Sequence, residues 1–309
     1  MGIPFLATAI FVYTEAETCG NKANHSFQCK YIYIRSAPLQ LTSFEDITKS
    51  SRHIFLSPHF DDVVYSCGGS LAVQVNNALR PLVITVFGGI PSSGLELSPY
   101  AFEIHKKMGG ANLDAASMVA NRRKEDASAL DYIQANYLWL DYLDAIYRGN
   151  PAYYPRRELL MGGEVHPADI EIDKQLAQNL VALHERLPDT VWYAPLGIGR
   201  HIDHQIVCSA ADRLIQRGAN VKLYEDFPYI LEEGALEERL NELGGTFEPA
   251  FVEMSEMLPI RIEASSLYTS QVELNFGNRA NMRRVMEEYT HGIRPVQTPG
   301  FFALKDGQG

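Results

Sequence analysis

Cysteine is scarce. Only Cys19, Cys29, Cys67 and Cys208 occur in 309 residues, widely scattered, which excludes a disulfide framework and fits a reducing, cytoplasmic setting. A Cys19–Cys29 pair is the one alternative, and it requires an N-terminal segment outside the cell. Basic residues are outnumbered, with 27 Lys and Arg against 38 Asp and Glu and a formal net charge of −11. Without a basic stripe to release counterions, nucleic acid is excluded as a partner and a polyanionic substrate is disfavoured. Long apolar runs are missing too. Ile3 to Tyr13 is hydrophobic, but it is too short to span a bilayer and has no Lys or Arg before it, so neither a membrane span nor a signal peptide is read there. Internal repeats and low-complexity tracts are also absent. What remains, 46% hydrophobic and 21% charged residues, is the composition of a globular protein long enough to bury a full core.

Residues 1 to 50 show no clear period and read as an extension packed on the domain edge, with residues 51 to 309 forming a single domain. From Arg52 the pattern becomes regular. His53–Ser57 reads as a buried strand, a helix follows from about Ser66 to Leu79, and Pro81–Phe87 is a second apolar strand. Gly88 to about Ala116 is punctuated by Gly and Pro and reads as a long loop, a candidate lid. Further helices are predicted over Ser117–Ala135, Ile170–Leu187, Asp203–Arg217, Glu232–Leu243, Ile260–Phe276 and Arg279–Tyr289. Further strands are predicted over Tyr137–Leu140, Val191–Leu196 and Val221–Phe227 and near Phe251. Apolar strands alternating with helices predict a three-layer, Rossmann-like α/β domain around a mainly parallel twisted sheet.

Two motifs carry chemistry. Ser57-Pro-His-Phe-Asp-Asp62 stands at the C-terminal end of the first regular strand, the edge at which open α/β sheets bind ligands. His59 and Asp62 can reach one cation from a single tight turn, which leaves Asp61 free to act as a base toward water. Gly197-Ile-Gly-Arg-His-Ile-Asp-His204 follows the strand Val191–Leu196, and a helix starting there puts His201 and His204 on one face. If both strands are parallel, the two motifs converge. Three His and Asp ligands with one open position make a catalytic zinc site, whereas structural sites are closed by four ligands and rich in Cys. Fe2+ or another first-row divalent metal suits the same ligand set. Taken alone, Asp203 also reads as a helix N-cap.

With these motifs the chain resembles the LmbE-like, or PIG-L-type, zinc deacetylases. His59-Phe-Asp-Asp-Val63 is similar to their His-Pro-Asp-Asp-Glu, His201–His204 matches their His-x-Asp-His, and Arg122-Arg-Lys-Glu125 matches their Arg-x-x-Glu. The likeness runs from about Arg52 to Tyr289 and takes in Tyr224-Glu-Asp-Phe-Pro228 and Tyr268-Thr-Ser-Gln271. It implies one Zn2+ on His59, Asp62 and His204, Asp61 as general base, and His201 as the cation or acid that meets the developing oxyanion. It further implies Asp203 orienting a histidine and Arg122 near the substrate. The implied activity is hydrolysis of an N-acyl group, N-acetyl foremost, from an amino sugar or small glycoconjugate. Phe60, Val63 and Gly199 depart from the family pattern. Some members carry a tyrosine at the position of Gly199, so His201 does more of that work here or another residue helps.

Several residues have plainer readings. Cys67 and Cys208 read as small buried apolar residues, and His53, His105, His166 and His184 as surface or structural. The aromatic-rich stretch Tyr137–Tyr154 holds Asp141, Asp144 and Arg148, which would suit a sugar's mix of apolar faces and hydroxyls. Cys67-Gly-Gly69 invites a nucleotide-binding turn, but Asp61 and Asp62 would stand where a pyrophosphate needs positive partial charge. A rival reading keeps the fold without catalysis, as a sugar- or partner-binding relative; the presence of Asp61 and His201 opposes it. The sequence leaves room for a homo-oligomer.

Overall fold

The computed structural model describes residues 37–244 and 247–291; Ile3–Tyr13, Cys19 and Cys29 lie outside them. Six strands, β1 (Gln40–Leu41), β2 (His53–Ser57), β3 (Leu82–Thr85), β4 (Asn136–Trp139), β5 (Val191–Pro195) and β6 (Asn220–Tyr224), form one sheet in the order β1-β4-β3-β2-β5-β6. Every pairing is parallel. The central runs Ile54-Phe55-Leu56 and Leu82-Val83-Ile84 are fully buried, as a sheet covered on both faces requires.

The main helices are α1 (Asp62–Asn76), α2 (Pro99–Lys107), α3 (Ala115–Ile133), α4 (Arg157–Leu160), α5 (Ile170–Arg186) and α6 (Ile202–Gln216). They are followed by α7 (Ala235–Leu243), α8 (Leu258–Ser265), α9 (Thr269–Phe276) and α10 (Arg279–Thr290). Helices α1, α3 and α8 pack together in one layer, and α5 packs on α6 in the other. Strands β2, β3 and β4 step outward in one direction and β5 then resumes on the other side of β2. The strand order therefore reverses between β2 and β5, and a crevice opens at their C-terminal ends.

Some expectations need correction. Helix α1 starts at Asp62 rather than Ser66, because Asp61 is already helical and its carbonyl accepts from Tyr65 N at 2.8 Å. Gly68 and Gly69 therefore lie inside a helix and form no phosphate turn. A Cβ on Gly68 would stand 3.2 Å from Arg261 Cγ, and one on Gly69 would meet Met254 Sδ at 2.1 Å, so these glycines admit α8 and the segment before it. The segment 88–116 is not all loop: Ser98 accepts from Ala101 N at 3.1 Å and Pro99 opens α2, a good helix start. Ile260–Phe276 breaks into two helices at Tyr268, whose ψ of 66° leaves the helical region. Phe251 enters no strand of the sheet.

Candidate active site

The turn after β2 is closed by its own acid. Asp62 Oδ2 accepts from the His59 amide at 2.7 Å, and Asp62 also occupies the first position of α1, where the helix dipole favours a carboxylate. This brings Asp62 Oδ2 to 3.3 Å from His59 Nδ1. Across the switch point, α6 delivers His204, whose Nε2 lies 3.2 Å from the same oxygen. Ligands held tetrahedrally at about 2.0–2.1 Å from one cation stand about 3.3 Å apart, and His59 Nδ1 and His204 Nε2 each have that spacing from Asp62 Oδ2.

Each imidazole is braced from behind. His59 Nε2 donates to Asp203 Oδ2 at 2.9 Å, and His204 Nδ1 donates to Asp226 Oδ1 at 2.6 Å. Those bonds direct the remaining ring nitrogens toward Asp62, the tautomers a cation needs. His204 Nε2 is buried, and apart from the Asp62 oxygen 3.2 Å away it makes no hydrogen bond, an atom that a metal would satisfy. Burial alone would lower both histidines. Asp144, Asp203 and Asp62 outweigh it at His59, and Asp62 and Asp226 raise His204 to about 9. Asp62 is held well below the usual carboxylate range by His204 and His59 against its desolvation. The field that keeps protons here equally favours a divalent cation.

Nitrogens of His201 also come within 4.8 Å of those of His59 and His204, and His59 groups similarly with Asp144 and Asp203. Neither group contains Asp62, which enters by its spacing of 3.3 and 3.2 Å from His59 and His204. His201, not Asp203, is the N-cap of α6, its Nδ1 accepting from Asp203 N at 3.2 Å, which leaves Nε2 with the proton. Burial and the charge of His59 push His201 well below its ordinary pKa, which favours, of the cation and the acid expected, the neutral N–H donor. Asp203 is committed elsewhere, accepting from Ala145 N at 3.0 Å and pairing with Arg148 Nη1 at 2.6 Å.

Asp61 points away from this cluster, into an ion pair with Arg122 Nη2 at 3.0 Å. Its carboxyl is pushed up to about 6 by burial and by Asp62, against the pull of Arg122, a range suited to a base that must also return a proton. Arg122 Nη1 reaches Asp144 Oδ2 at 3.4 Å. These groups form the floor of a cavity of about 490 Å³ that also takes in Tyr229 and, farther out, Tyr100, Arg157, Leu160 and Asn275.

Arg148 is not where a sugar contact requires. It is 5% exposed and absent from the cavity wall, its Nε is 3.0 Å from Asp169 Oδ2, and its guanidinium lies over the Phe87 ring at 5.0 Å. It positions Asp203 instead. Asp141 turns to solvent beside Arg123, while Tyr147 and Tyr154 are buried. His105 is structural, with Nε2 2.7 Å from Tyr147 Oη. Cys67 and Cys208 are buried free thiols, Cys208 raised to about 11 by burial.

Asp226 is a site residue to which the sequence reading gave no role, although it lies within the family-like stretch Tyr224-Glu-Asp-Phe-Pro228. Its carboxylate accepts from the amides of Gly197 and Ile198 at 2.8 and 3.0 Å besides holding His204. The available signal was position: an acid just beyond β6, on the sheet edge that carries the other motifs.

A family model described as PIG-L, GlcNAc-PI de-N-acetylase, matches residues 54–215. A 2'-N-acetylparomamine deacetylase of Niallia circulans is 32% identical over 57% of this chain and 66% of its own length. The protein of the same description from Streptomyces fradiae is 30% identical over 73% of this chain and 75% of its own. Among solved structures, the zinc-inhibited form of the teicoplanin deacetylase Orf2 is similar with a TM-score of 0.61 and 28% identity, covering 75% of this chain and 88% of that one.

Proposed function

Since the chain belongs to the PIG-L family, we propose that it is a metal-dependent amide hydrolase that removes an N-acyl group, N-acetyl foremost, from an amino sugar or small glycoconjugate. The observation that carries this reading is the carboxylate-braced set His59, Asp62 and His204 standing beside an unligated acid, Asp61, and a neutral N–H donor, His201. The relatives are described as deacetylases of 2'-N-acetylparomamine and of teicoplanin.

His59, Asp62 and His204 would hold one divalent cation. Two imidazoles and a carboxylate suit zinc, with Fe2+ or another first-row ion as the alternative. Bound there, the ion supplies polarisation of the amide carbonyl and acidification of water. The remaining work belongs to the chain. Asp61 takes a proton from the attacking water as its oxygen bonds to the acyl carbon. His201 Nε2–H donates to the carbonyl oxygen as that oxygen becomes anionic. Collapse then breaks the C–N bond, and Asp61 returns the proton to the departing nitrogen, leaving a carboxylic acid and a free amine. Arg122 holds Asp61 in place, and Asp144 lines the cavity floor beside Arg122, where it would meet the substrate. A cytoplasmic location fits the two free buried thiols. No helix among the described residues is long and apolar enough to cross a membrane.

The test is release of free amine from a panel of N-acetylated amino sugars and glycoconjugates, run with metal-loaded and metal-stripped protein. Turnover that needs the metal supports the reading. Metal bound but no amine released from any member of the panel would favour a non-catalytic binding protein.

A further inference from the structure

Arginines that leave the surface of this fold are held by a partner. Among the described residues every other buried or half-buried arginine, from Arg122 and Arg123 to Arg239 and Arg261, gives its guanidinium to a carboxylate, a carbonyl or a hydroxyl. Arg157 is half-buried too, yet its guanidinium has no ion pair and no hydrogen bond among those residues. The acid beside it in the chain, Glu158, lies 3.8 Å from Arg156 instead. Five N–H donors drawn partly out of water with no acceptor gain nothing from the protein in exchange. Arg157 lines the cavity, and an anion entering there would supply the acceptor.

Its placement is fixed to the reacting end. Arg157 opens α4, Met161 just after that helix bridges His201, and the Gly162 amide donates to the Arg200 carbonyl at 2.9 Å, so α4 is mounted on the loop that carries His201. Lys106 and Lys107 in the last turn of α2 line the same cavity, and their ammonium groups are likewise unpaired among the described residues. Helix α2 is anchored in turn by His105, whose Nε2 lies 2.7 Å from Tyr147 Oη. Cations at a helix C-terminus are ordinary, because they meet the dipole there; Arg157, at the first position of its helix, has no such reason. Apart from the floor carboxylates Asp61, Asp62 and Asp144, the wall sets only Glu273 against these three cations. In a chain of net charge −11, such a local excess suits one anionic group rather than a polyanion.

Resting on the hydrolase reading, we infer that the substrate carries, beyond the sugar that holds the N-acyl group, one anionic group with paired oxygens, a carboxylate or a phosphate, which Arg157 binds. The guanidinium fork matches either group, and Lys106 and Lys107 add to the field. Tyr100, Ile104 and Leu160 give the same cavity an apolar wall for the rest of the conjugate. Arg157 is thereby a specificity-determining residue.

The test uses the best N-acetyl sugar of the panel as its carboxymethyl, carbamoylmethyl and aminoethyl glycosides and its 1-phosphate. The better of the two anionic compounds should exceed the carbamoylmethyl glycoside in kcat/KM by roughly 10- to 100-fold, the range of a charge-assisted hydrogen bond, and which anion leads identifies the group. Arg157→Gln should bring that ratio close to one, and Arg157→Lys, which keeps the charge without the fork, should restore part of it; metal content checks the fold of each variant. Equal kcat/KM for all four compounds, a preference for the aminoethyl glycoside, or a ratio that survives Arg157→Gln overturns the assignment. A wild type that turns over no member of the panel sinks the hydrolase reading instead. Calorimetric binding of the same four compounds, built on N-acetylglucosamine, to the metal-loaded protein then still judges Arg157: equal affinity for the anionic and carbamoylmethyl compounds overturns it.

Discussion

His204 and Asp226 share a 2.6 Å hydrogen bond between Nδ1 and Oδ1, with both side chains 1% exposed. Asp226 follows β6 and His204 lies in the first turn of α6, so the bond ties the ends of two adjacent strands and sets which nitrogen of His204 faces Asp62. A carboxylate in this position raises the basicity of the imidazole and fixes its tautomer.

Asp226→Asn should consequently lower metal affinity by roughly 10–100-fold, read by competition with a chelator, while His204→Ala should lose the metal altogether. Unchanged affinity in Asp226→Asn would remove Asp226 from the site.

Asp61 and His201 are not among the proposed ligands. Asp61→Asn and His201→Ala are each expected to keep near-normal metal content and fold while kcat falls by roughly 10²-fold or more. Steady-state kinetics with metal analysis on the same samples checks this; near-wild-type turnover in Asp61→Asn would put the base elsewhere.

Arg148 lies between Asp203 and Asp169 with almost no exposure. Arg148→Met would strip the guanidinium from two buried carboxylates, a loss that typically costs about 3–5 kcal/mol, and should shift urea unfolding to lower denaturant. A rise in KM with unchanged stability would instead restore Arg148 as a sugar contact.

Asp126 lies behind the site, accepting from Trp139 Nε1 at 2.6 Å and Tyr268 Oη at 2.7 Å. Burial pushes its carboxyl up to about 7, although both hydrogen bonds oppose the rise. Unfolded, it titrates near 3.8, so between these two values the folded state holds a proton that the unfolded state has released. Its contribution to stability is therefore lost as pH rises through that window. Asn can accept from Trp139 and donate to Tyr268. Asp126→Asn should flatten the stability profile between about pH 4 and 7 and stabilise the protein at pH 8, by at most about 4 kcal/mol. Denaturation midpoints measured across pH decide; a profile parallel to wild type would show that the burial cost is met elsewhere.

The parallel sheet and the chemistry at its edge were legible because both are local properties. Ile54-Phe55-Leu56 and Leu82-Val83-Ile84 are apolar without a break, which suits only strands covered on both faces, and His59-Phe-Asp-Asp62 and His201–His204 place ligand types within one turn of the chain. Strand order, by contrast, is a long-range choice. Only the seating of β5 between β2 and β6 puts Asp62 against His204 and Asp226 behind it. Likewise, nothing near Arg148 in the chain announces that it turns inward to Asp203 rather than outward to a ligand. A buried guanidinium needs acids around it, and Asp169 and Asp203 reach it from other segments, so only the tertiary structure decided its surroundings.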